Sequence, residues 1–304
     1  MLRYRRSDGV LPPLSDVVGE LASLTETTAI VTGSHGPVTV DRAAIVAARA
    51  VAPHRREILE LQRIARLGWR SAEVVELDGW RLHADRGWTG RANSVLPLGS
   101  PHLPLPALLA EAGRFYAERG LPLQVMLPLP ARGVLDAELA RRCWTLQRPT
   151  VVLTRPIAGP AGADPDSAPD GPRVTLEEAP SADWLAGYHY RGGRLPEHAV
   201  RLLTRHQAVR FASVPAAGSV AGIGRGTVDE GWLGVTAVEV APGQRRSGVG
   251  RALMAALLAW GRQSGAERCY LQVDADNAEA LAFYQRLGFI EHHRYHYRLA
   301  PDAS

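Results

Sequence analysis

A run of apolar, β-branched residues that leads through a glycine-containing turn into a long helix is the strongest constraint on the fold of this chain. Thr236 to Val240 predict a buried strand, which Pro242 and Gly243 end. From Arg251 onward, leucines at helical spacing among many alanines predict a helix. Ser247 to Arg251 therefore lie at a helix start, where unpaired backbone N–H groups and the helix dipole attract a phosphate group.

The turn itself has the composition of an anion-binding loop. Its residues are Arg245, Arg246, Ser247, Gly248, Val249 and Gly250. The two glycines let the backbone approach an anion with no Cβ in the way, and the arginines add positive charge. A pair of glycines near a helix start also occurs as a plain helix cap, so this interpretation depends on the residues that follow.

The residues after the helix repeat the order of strand, polar turn and helix. Cys269 to Val273 predict a second strand, and Asp276 or Asn277 is suited to cap a helix from Ala278 to Leu287. Tyr284 follows Asn277 by two helical turns and lies on the same helix face. Its hydroxyl can therefore reach a site between the two strands, although a tyrosine taken alone is more often a core residue.

Together these motifs resemble the acetyl-CoA-binding core of the GCN5-related N-acetyltransferase (GNAT) superfamily. One signature of that family is a basic or amide residue, two variable residues, Gly, one variable residue, and then Gly or Ala; residues 245–250 match it. The second signature is matched at the usual spacing by Asn277, Ala280, Tyr284 and the Leu-Gly-Phe at 287–289. The similarity extends in outline from Arg173 to Leu299.

The resemblance implies the transfer of an acetyl group from acetyl-CoA to a primary amine. The expected acceptor is a small molecule such as an amino acid, and no metal ion is expected. The resemblance also implies that the coenzyme is held by the first strand, the turn and the second helix cap. The residues concerned are Val238, Val240, Arg245, Arg246, Ser247, Gly248, Val249, Gly250, Arg251 and Asn277.

Two side chains are the candidates for catalysis. The amine must lose a proton before it attacks, and Glu239 is the acidic residue on the strand before the turn, unless it faces solvent. Tyr284 is expected from the resemblance to protonate the departing thiolate, while backbone N–H groups near Val240 polarise the thioester carbonyl. In some family members the base lies on the second strand, at the place held here by Gln272, which cannot act as a base.

The rest of the chain predicts two further domains and a linker. Residues 157–172 contain Pro, Gly, Ala and Asp without periodicity and predict a flexible linker. Residues 56–156 resemble a degenerate copy of the same fold, as in tandem members of the family, and lack the glycine turn at 93–99. The expected fold class is α+β or α/β, with two GNAT-like mixed-sheet domains in tandem and the catalytic one at 173–304.

Short strands and a hairpin predict a small β domain at the N-terminus. Val17 to Leu21, Thr28 to Thr32 and Pro37 to Val40 have the pattern of strands, with a hairpin turn at 33–36. The following stretch, Ala43 to Val51, suits a strand or a short helix. A small SH3-like β-barrel over residues 1–55, placed before the two tandem domains, fits this pattern.

Composition bears on the partners and the location. All 35 basic residues are arginine and the net charge is +4, which suits an anionic coenzyme without requiring nucleic acid. The arginines are dispersed and no apolar span is long enough to cross a bilayer, so neither nucleic acid nor a membrane is an expected partner, and a cytoplasmic location is expected. Arg191 and Arg194 either bind an acceptor carboxylate or lie on a solvated helix face.

Two other functions stay open at this point. One is a binding module that holds acetyl-CoA as a sensor, which Gln272 favours; the other is an enzyme that acetylates proteins and docks them on its N-terminal domain. Three histidines, His292, His293 and His296, suggest a metal site. Strand alternation places His292 and His296 on one face and His293 on the other, which argues against that site.

Overall fold

The computed structural model describes residues 1–6, 12–33, 36–49, 51, 53–157, 171–189, 193 and 195–301. The chain forms two compact units, Met1–Pro53 and His54–Ser304. Most of the predicted linker at 157–172 and the middle of the predicted hairpin turn at 33–36 lie outside the described residues. The predicted domain boundaries at 156 and 172 therefore stay a prediction.

The first unit contains two three-stranded antiparallel sheets. Its strands are β1 Leu2–Arg5, β2 Leu14–Val17, β3 Gly19–Leu24, β4 Thr28–Gly33, β5 Gly36–Asp41 and β6 Ile45–Ala48, with a 3-10 turn at Arg42–Ala44. The sheets have the strand orders β2-β1-β6 and β3-β4-β5, and in the described part of this unit they do not close into a barrel. The predicted barrel closure is therefore wrong.

The physical reason for this difference lies at Val17 to Leu21, which the sequence pattern treats as one strand. Val17 ends β2 and Gly19 begins β3, so the chain passes from one sheet to the other between them. A Cβ at Gly19 would lie 2.2 Å from the carbonyl oxygen of Thr32 in the neighbouring strand β4, so a residue without a side chain is needed where β3 begins. Alternation along a strand does not report which neighbour the strand pairs with.

The second unit is built on one mixed sheet with helices on both faces. Its elements are α1 Arg55–Leu67, β7 Glu73–Leu77, β8 Trp80–Ala84, β9 Val95–Pro97, α2 Leu105–Ala117, β10 Gln124–Leu129, α3 Gly133–Arg141, β11 Thr145–Pro156, β12 Thr175–Glu177, α4 Ala182–Gly187, α5 Glu197–Thr204, β13 Val209–Ala216, β14 Ser219–Asp229, β15 Trp232–Val240, α6 Val249–Gln263, β16 Arg268–Asp274, α7 Ala278–Arg286 and β17 Ile290–Leu299. The sheet has 11 strands in the order β12-β13-β14-β15-β16-β11-β17-β10-β9-β8-β7.

The two halves of this unit each contribute a strand to the other. β11, from the N-terminal half, lies between β16 and β17 of the C-terminal half. β17, the last strand of the C-terminal half, lies between β11 and β10. The sheet is therefore continuous from one half to the other.

Two hydrophobic cores cover the C-terminal half of the sheet, one on each face. On one face, α6 and α7 pack on strand residues such as Val235 and Leu271, and Tyr284 of α7 belongs to this core. On the opposite face, α4 and α5 pack on β13 and β14 around Trp184 and Phe211. We call these the helix-α6 face and the helix-α4 face. No helix in the described part of the chain has the length and hydropathy needed to span a bilayer.

Candidate functional site

The site begins where β15 and β16 separate. The two strands run parallel from Trp232 to Val235, and their pairing ends there, while β15 continues beside β14 to Val240. Ala237 has a φ of 54°, and the register with β14 shifts at this point, which marks a β-bulge. Because a bulge bends its strand and increases its twist, the end of β15 turns away from β16 and leaves a gap between them.

Two valines of β15 present backbone groups to this gap. The N–H of Ala241 bonds to the carbonyl of Ala221 at 2.9 Å, so it points toward β14. Backbone groups alternate in direction along a strand, so the N–H groups of Val240 and Val238 point the other way, toward the gap. Their side chains lie on the helix-α6 face: Val240 Cγ2 is 3.6 Å from the Cβ position of Gly250, and Val238 Cγ2 is 3.7 Å from that of Gly224.

The predicted glycine turn leads directly from this gap into α6. A 3-10 turn at Pro242–Gln244 follows β15, and Gly248 is the N-cap of α6 with a φ of 84° and no side-chain cap. The position of a Cβ on Gly248 is open, with Pro172 Cδ nearest at 3.9 Å. The first-turn N–H groups of α6 therefore face an exposed, uncapped end that suits an anion.

The arginines and the serine of the turn are exposed on its outer side. Arg245 lies 3.6 Å from Glu279, and both side chains are more than half exposed. Arg246 has a φ of 62°, and Ser247 Oγ donates to the carbonyl of Gln244. The exposed Arg251 follows in the first turn of the helix. The predicted coenzyme residues of the turn are thus together in space.

Gly250 has a different role from the one its sequence position suggests. A Cβ on this residue would lie 3.2 Å from Phe283 Cζ. Its missing side chain therefore permits α6 to pack against α7, and only its backbone N–H belongs to the helix start. The packing partner, Phe283, lies 33 residues later in the chain, so the local sequence does not reveal it.

Asn277 begins α7 beside the same gap. Its Oδ1 accepts a hydrogen bond from the N–H of Ala280 at 3.0 Å, so Asn277 rather than Asp276 is the N-cap. The side-chain oxygen is thus used within the helix, and the amide nitrogen is the group left for a ligand.

The two predicted catalytic residues lie on opposite faces of the sheet. Glu239 is on the helix-α4 face, where it accepts a hydrogen bond from the backbone N–H of His189 at 3.1 Å. Burial raises the pKa of the Glu239 carboxyl above its usual range, and the contacts with His189 oppose this shift only in part. An effective general base has a pKa close to the pH at which it works. The raised pKa of Glu239 is therefore closer to neutral pH than that of an ordinary carboxyl.

Tyr284 lies on the helix-α6 face and is buried. Its ring packs edge-on against Phe283 and Phe289, with centroid distances of 5.1 and 5.8 Å. Burial raises the pKa of the Tyr284 hydroxyl, so this group keeps its proton at neutral pH. The gap between β15 and β16 is a route by which groups on the two faces can act on one bound molecule.

The sequence analysis missed the polar residues that line the gap from the N-terminal half. Gln272 is the first residue of β16 beyond the last strand pair, Val235 with Leu271. Its Oε1 accepts hydrogen bonds from Arg91 Nε and from Tyr295 Oη, the latter at 3.2 Å. Nothing in the local sequence places the 85–93 loop, and with it Arg91, beside β16.

A side-chain network holds that loop in place. Asn93 Oδ1 accepts from the N–H groups of Asp85 and Gly87, and its Nδ2 donates to the carbonyls of Asp85 and Thr89. These bonds hold the chain out of the sheet up to Asn93, and β9 begins at Val95. The fixed loop presents Arg91 to Gln272.

The C-terminal histidines do not gather into one cluster. His293 contacts Gln62 of α1, and His296 contacts Asp136 of α3, on opposite faces. The register of β17 shifts at His292, which therefore lies beside His293 rather than with His296 as alternation predicts. No group of three or more possible ligands able to hold a metal ion occurs in the described ranges, and Tyr190, Arg191 and Arg194 lie outside them.

Comparison with protein families and relatives gives a consistent result. The family model described as "Probable histone acetyltransferase Rv0428c C-terminal" matches residues 56–298, and the model described as "Rv0428c N-terminal Sm-like domain" matches residues 1–49. The first unit is thus similar to an Sm-like domain rather than to an SH3-like one. The boundary between the two matches agrees with the division of the structure at Pro53.

Two relatives and one solved structure illustrate the similarity. The chain is 33% identical to the "Probable histone acetyltransferase Rv0428c" of Mycobacterium tuberculosis, over 100% of this chain and 94% of the relative. It is 27% identical to the "Uncharacterized N-acetyltransferase YobR" of Bacillus subtilis, over 80% and 98%. A GCN5-related N-acetyltransferase from Kribbella flavida shares the fold, with a TM-score of 0.58 and 19% identity over 84% of this chain and 98% of that one.

Proposed function

Because this chain belongs to the GNAT family and is an acetyltransferase of that type, we propose that it transfers the acetyl group of acetyl-CoA to the primary amine of a small molecule. The observation that carries this proposal is the gap between β15 and β16 beside the uncapped start of α6. A gap with backbone N–H groups along one wall and a helix start at its end suits a long, thin molecule with a phosphate-bearing end.

The residues present fit acetyl-CoA. The open Cβ position of Gly248 lets a pyrophosphate approach the first-turn N–H groups of α6, and Arg245, Arg246 and Arg251 supply positive charge. The N–H groups of Val238 and Val240 are available to the amide-containing arm along the gap. When bound, acetyl-CoA supplies an activated thioester.

Each catalytic candidate then has a defined proton to move. Glu239 accepts a proton from the ammonium group of the acceptor, directly or through water, and the resulting amine attacks the thioester carbonyl, because only the deprotonated nitrogen has a lone pair. The N–H of Val240 donates to the oxygen that becomes negative during attack. The Tyr284 hydroxyl, which carries its proton at neutral pH, donates this proton to the leaving sulfur.

The N-terminal half supports the proposal of a degenerate tandem copy. Its order β9, α2, β10, α3 and β11 repeats the order β15, α6, β16, α7 and β17, and β9 pairs with β10 in parallel. In place of the glycine turn, α2 begins after Pro104. Arg132, at the start of α3, donates to the carbonyls of Pro97, Leu98 and Gly99, so its buried side chain covers the end of β9. We therefore expect a single acetyl-CoA site per chain.

Calorimetry on a matched pair of variants tests the coenzyme site. Asp and Asn both tolerate the left-handed conformation of Gly248 and differ in charge. We expect Gly248→Asp to weaken acetyl-CoA binding much more than Gly248→Asn, because a carboxylate would face the pyrophosphate. The wild-type chain should bind one equivalent. Equal affinities in the two folded variants, or two equivalents per chain, would contradict the proposed site.

A protein acceptor is the second candidate, and the name of the M. tuberculosis relative favours it. The two candidates differ in their preferred acceptor. A comparison of turnover between free amino acids and lysine-containing peptides distinguishes them. Acetyl-CoA binding without transfer to either class would instead support a sensor.

A further inference from the structure

A small cavity lies beside Gln272 and has the composition of an anion-binding site. Its volume is about 30 Å³, and it is lined by Thr89, Gly90, Arg91, Arg148, Thr150, Tyr295 and Tyr297. The lining includes two arginines, two threonines and two tyrosines, and it includes no acidic side chain. A space of this volume accommodates one water molecule or a group of about that size, such as a carboxylate.

The cavity adjoins the gap where acetyl transfer is proposed. Arg91 and Tyr295 both line it, and both donate hydrogen bonds to Gln272, which stands where β16 separates from β15. Gln272 follows Leu271, whose side chain is on the helix-α6 face, so Gln272 points to the opposite face. That is also the face of Glu239, the candidate base, so a molecule in the cavity is on the acceptor side of the sheet.

The space is maintained by a glycine and a strained arginine. A Cβ on Gly90 would lie 2.8 Å from Arg148 Nη1 and 3.0 Å from Tyr297 Cζ. Arg148 has a φ of 53° in an irregular part of β11. Its Nη2 donates to the side-chain oxygens of Gln124 and Gln147, and its guanidinium lies 4.8 Å from the ring centre of Tyr297. The described partners of the Arg148 guanidinium are therefore all neutral groups.

A third guanidinium lies behind the wall of the cavity. Arg66 is 4% exposed and donates to the carbonyl of Gly90, to Ser94 Oγ and to Met126 Sδ, which are again neutral atoms. Its Nε is buried and has no hydrogen-bond partner within the described residues. A buried charge with only neutral partners is costly, and a nearby anion would offset that cost.

We propose that this cavity binds a carboxylate group of the acetyl acceptor, which makes the acceptor an amine of the amino-acid type. The inference rests on the proposed acetyl transfer. Arginine suits this task because its planar fork of donors matches a carboxylate. A peptide rich in lysine and arginine would instead bring like charges toward three guanidinium groups, which disfavours it.

Turnover of matched acceptors tests the proposal. The probes are the L-amino acids, β-alanine and 4-aminobutyrate, each compared with its own carboxamide, together with a lysine-rich peptide. Release of the coenzyme thiol reports transfer. We expect kcat/KM for the best carboxylate to exceed that of its amide by at least about tenfold, as a charge-assisted contact implies.

Two variants locate the effect in the cavity. Arg148→Gln removes one guanidinium and Gly90→Ala fills the space, and each should remove the preference for the carboxylate over its amide while acetyl-CoA affinity is kept. Arg141→Gln, an exposed arginine on α3, is the control and should keep the preference. Melting temperatures show which variants are folded, so that either variant alone can decide the question.

The outcomes separate this inference from the proposed function. Failure of the wild-type chain to bind acetyl-CoA would contradict the proposed function. Three results with a chain that binds acetyl-CoA would contradict the carboxylate site alone: equal use of carboxylates and amides, faster acetylation of the basic peptide, or turnover of an amide with no turnover of any carboxylate. An unchanged preference for the carboxylate over its amide in a folded Arg148→Gln or Gly90→Ala variant would also contradict the carboxylate site.

Discussion

The two glycines of the turn show how one residue type serves two purposes within three positions. Gly248 has the left-handed conformation and an open side-chain position, so it meets the needs of a bound anion. Gly250 has a helical conformation and packs against Phe283, so its lack of a side chain allows α6 and α7 to approach each other. A substitution at Gly250 therefore changes stability as well as binding, and Gly248 is the cleaner position at which to test the coenzyme site.

The buried carboxylate of Glu239 lowers the stability of the fold, and it is proposed to act as the general base. We expect Glu239→Gln to lower kcat/KM by about 10²–10⁴-fold, the usual contribution of a general base. In the wild type, activity should fall as pH decreases through the raised pKa of Glu239, at a higher pH than for an ordinary glutamate. This acidic limb should be absent from the pH profile of the variant.

The raised pKa of Glu239 also determines whether Glu239→Gln stabilises or destabilises the fold. A carboxyl whose pKa is higher in the folded state than in the unfolded state favours folding at low pH, and it opposes folding once pH rises above the folded pKa. Glu239→Gln should therefore melt at the same temperature as the wild type or higher at neutral pH. Glu177→Gln, at an exposed position, is the control. Full activity in Glu239→Gln would remove this residue from the mechanism.

The position of α6 depends on a row of glycines in β14. Gly222, Gly224 and Gly226 alternate along the strand and all face α6. A Cβ on Gly222 would lie 2.6 Å from Val249 Cγ1, and one on Gly226 would lie 3.0 Å from Trp260 Cζ3. Any side chain here would push α6 away from the sheet. These glycines therefore set the distance between the helix start and the end of β15, and with it the width of the proposed site.

Two glycine-to-alanine variants with opposite expected effects test this packing. Gly222→Ala should lower the free energy of unfolding by about 1–3 kcal/mol, as overpacking does, and should weaken acetyl-CoA binding by displacing Val249. Gly113→Ala, inside α2 with ordinary contacts, should raise the free energy of unfolding by about 0.5–1 kcal/mol, because alanine has a higher helix propensity than glycine. Denaturant titration measures both. A neutral Gly222→Ala would show that α6 adjusts without cost.

The exchange of β11 and β17 joins the two halves of the larger unit into one structure. β16 pairs with a strand of the other half along Thr150 to Pro156, and β10 pairs with β17 along its whole length. The cavity beside Gln272 combines Arg91 and Arg148 from one half with Tyr295 and Tyr297 from the other. The N-terminal half thus provides β11 and part of the lining of the proposed acceptor site, even though it has no glycine turn.

Division of the chain within 158–170 tests this dependence. Fragments 54–164 and 165–304 should each lack a cooperative melting transition when expressed alone, because each has lost a strand from the middle of its sheet. Expressed together they should copurify and bind acetyl-CoA. Fragment 54–304 is the control and should melt cooperatively, since it contains one complete compact unit. A fragment 165–304 that folds alone and binds acetyl-CoA with full affinity would contradict this prediction.

Local sequence determined the elements and the turn of the proposed coenzyme site. The strand before the turn, the helix after it and the cap at Asn277 are confirmed, with small differences in their bounds. These features depend on interactions between residues that are near in sequence: helix propensity, the conformational freedom of glycine, and hydrogen bonds from a cap to the next turn. The family assignment followed from the same local motifs.

Tertiary structure alone decided the pairing of strands and the composition of the acceptor side. The closure of the predicted barrel was wrong, and the exchange of β11 and β17 was not foreseen, because alternation along a strand does not specify its neighbours. Arg91 and Arg148 come from a half with no coenzyme turn. Arg91 reaches Gln272 through a contact that spans 181 residues, and Arg148 lines the same cavity as Arg91. The sequence by itself determined the turn and helix start of the proposed acetyl-CoA site, whereas the folded sheet decided which charges line the proposed acceptor site.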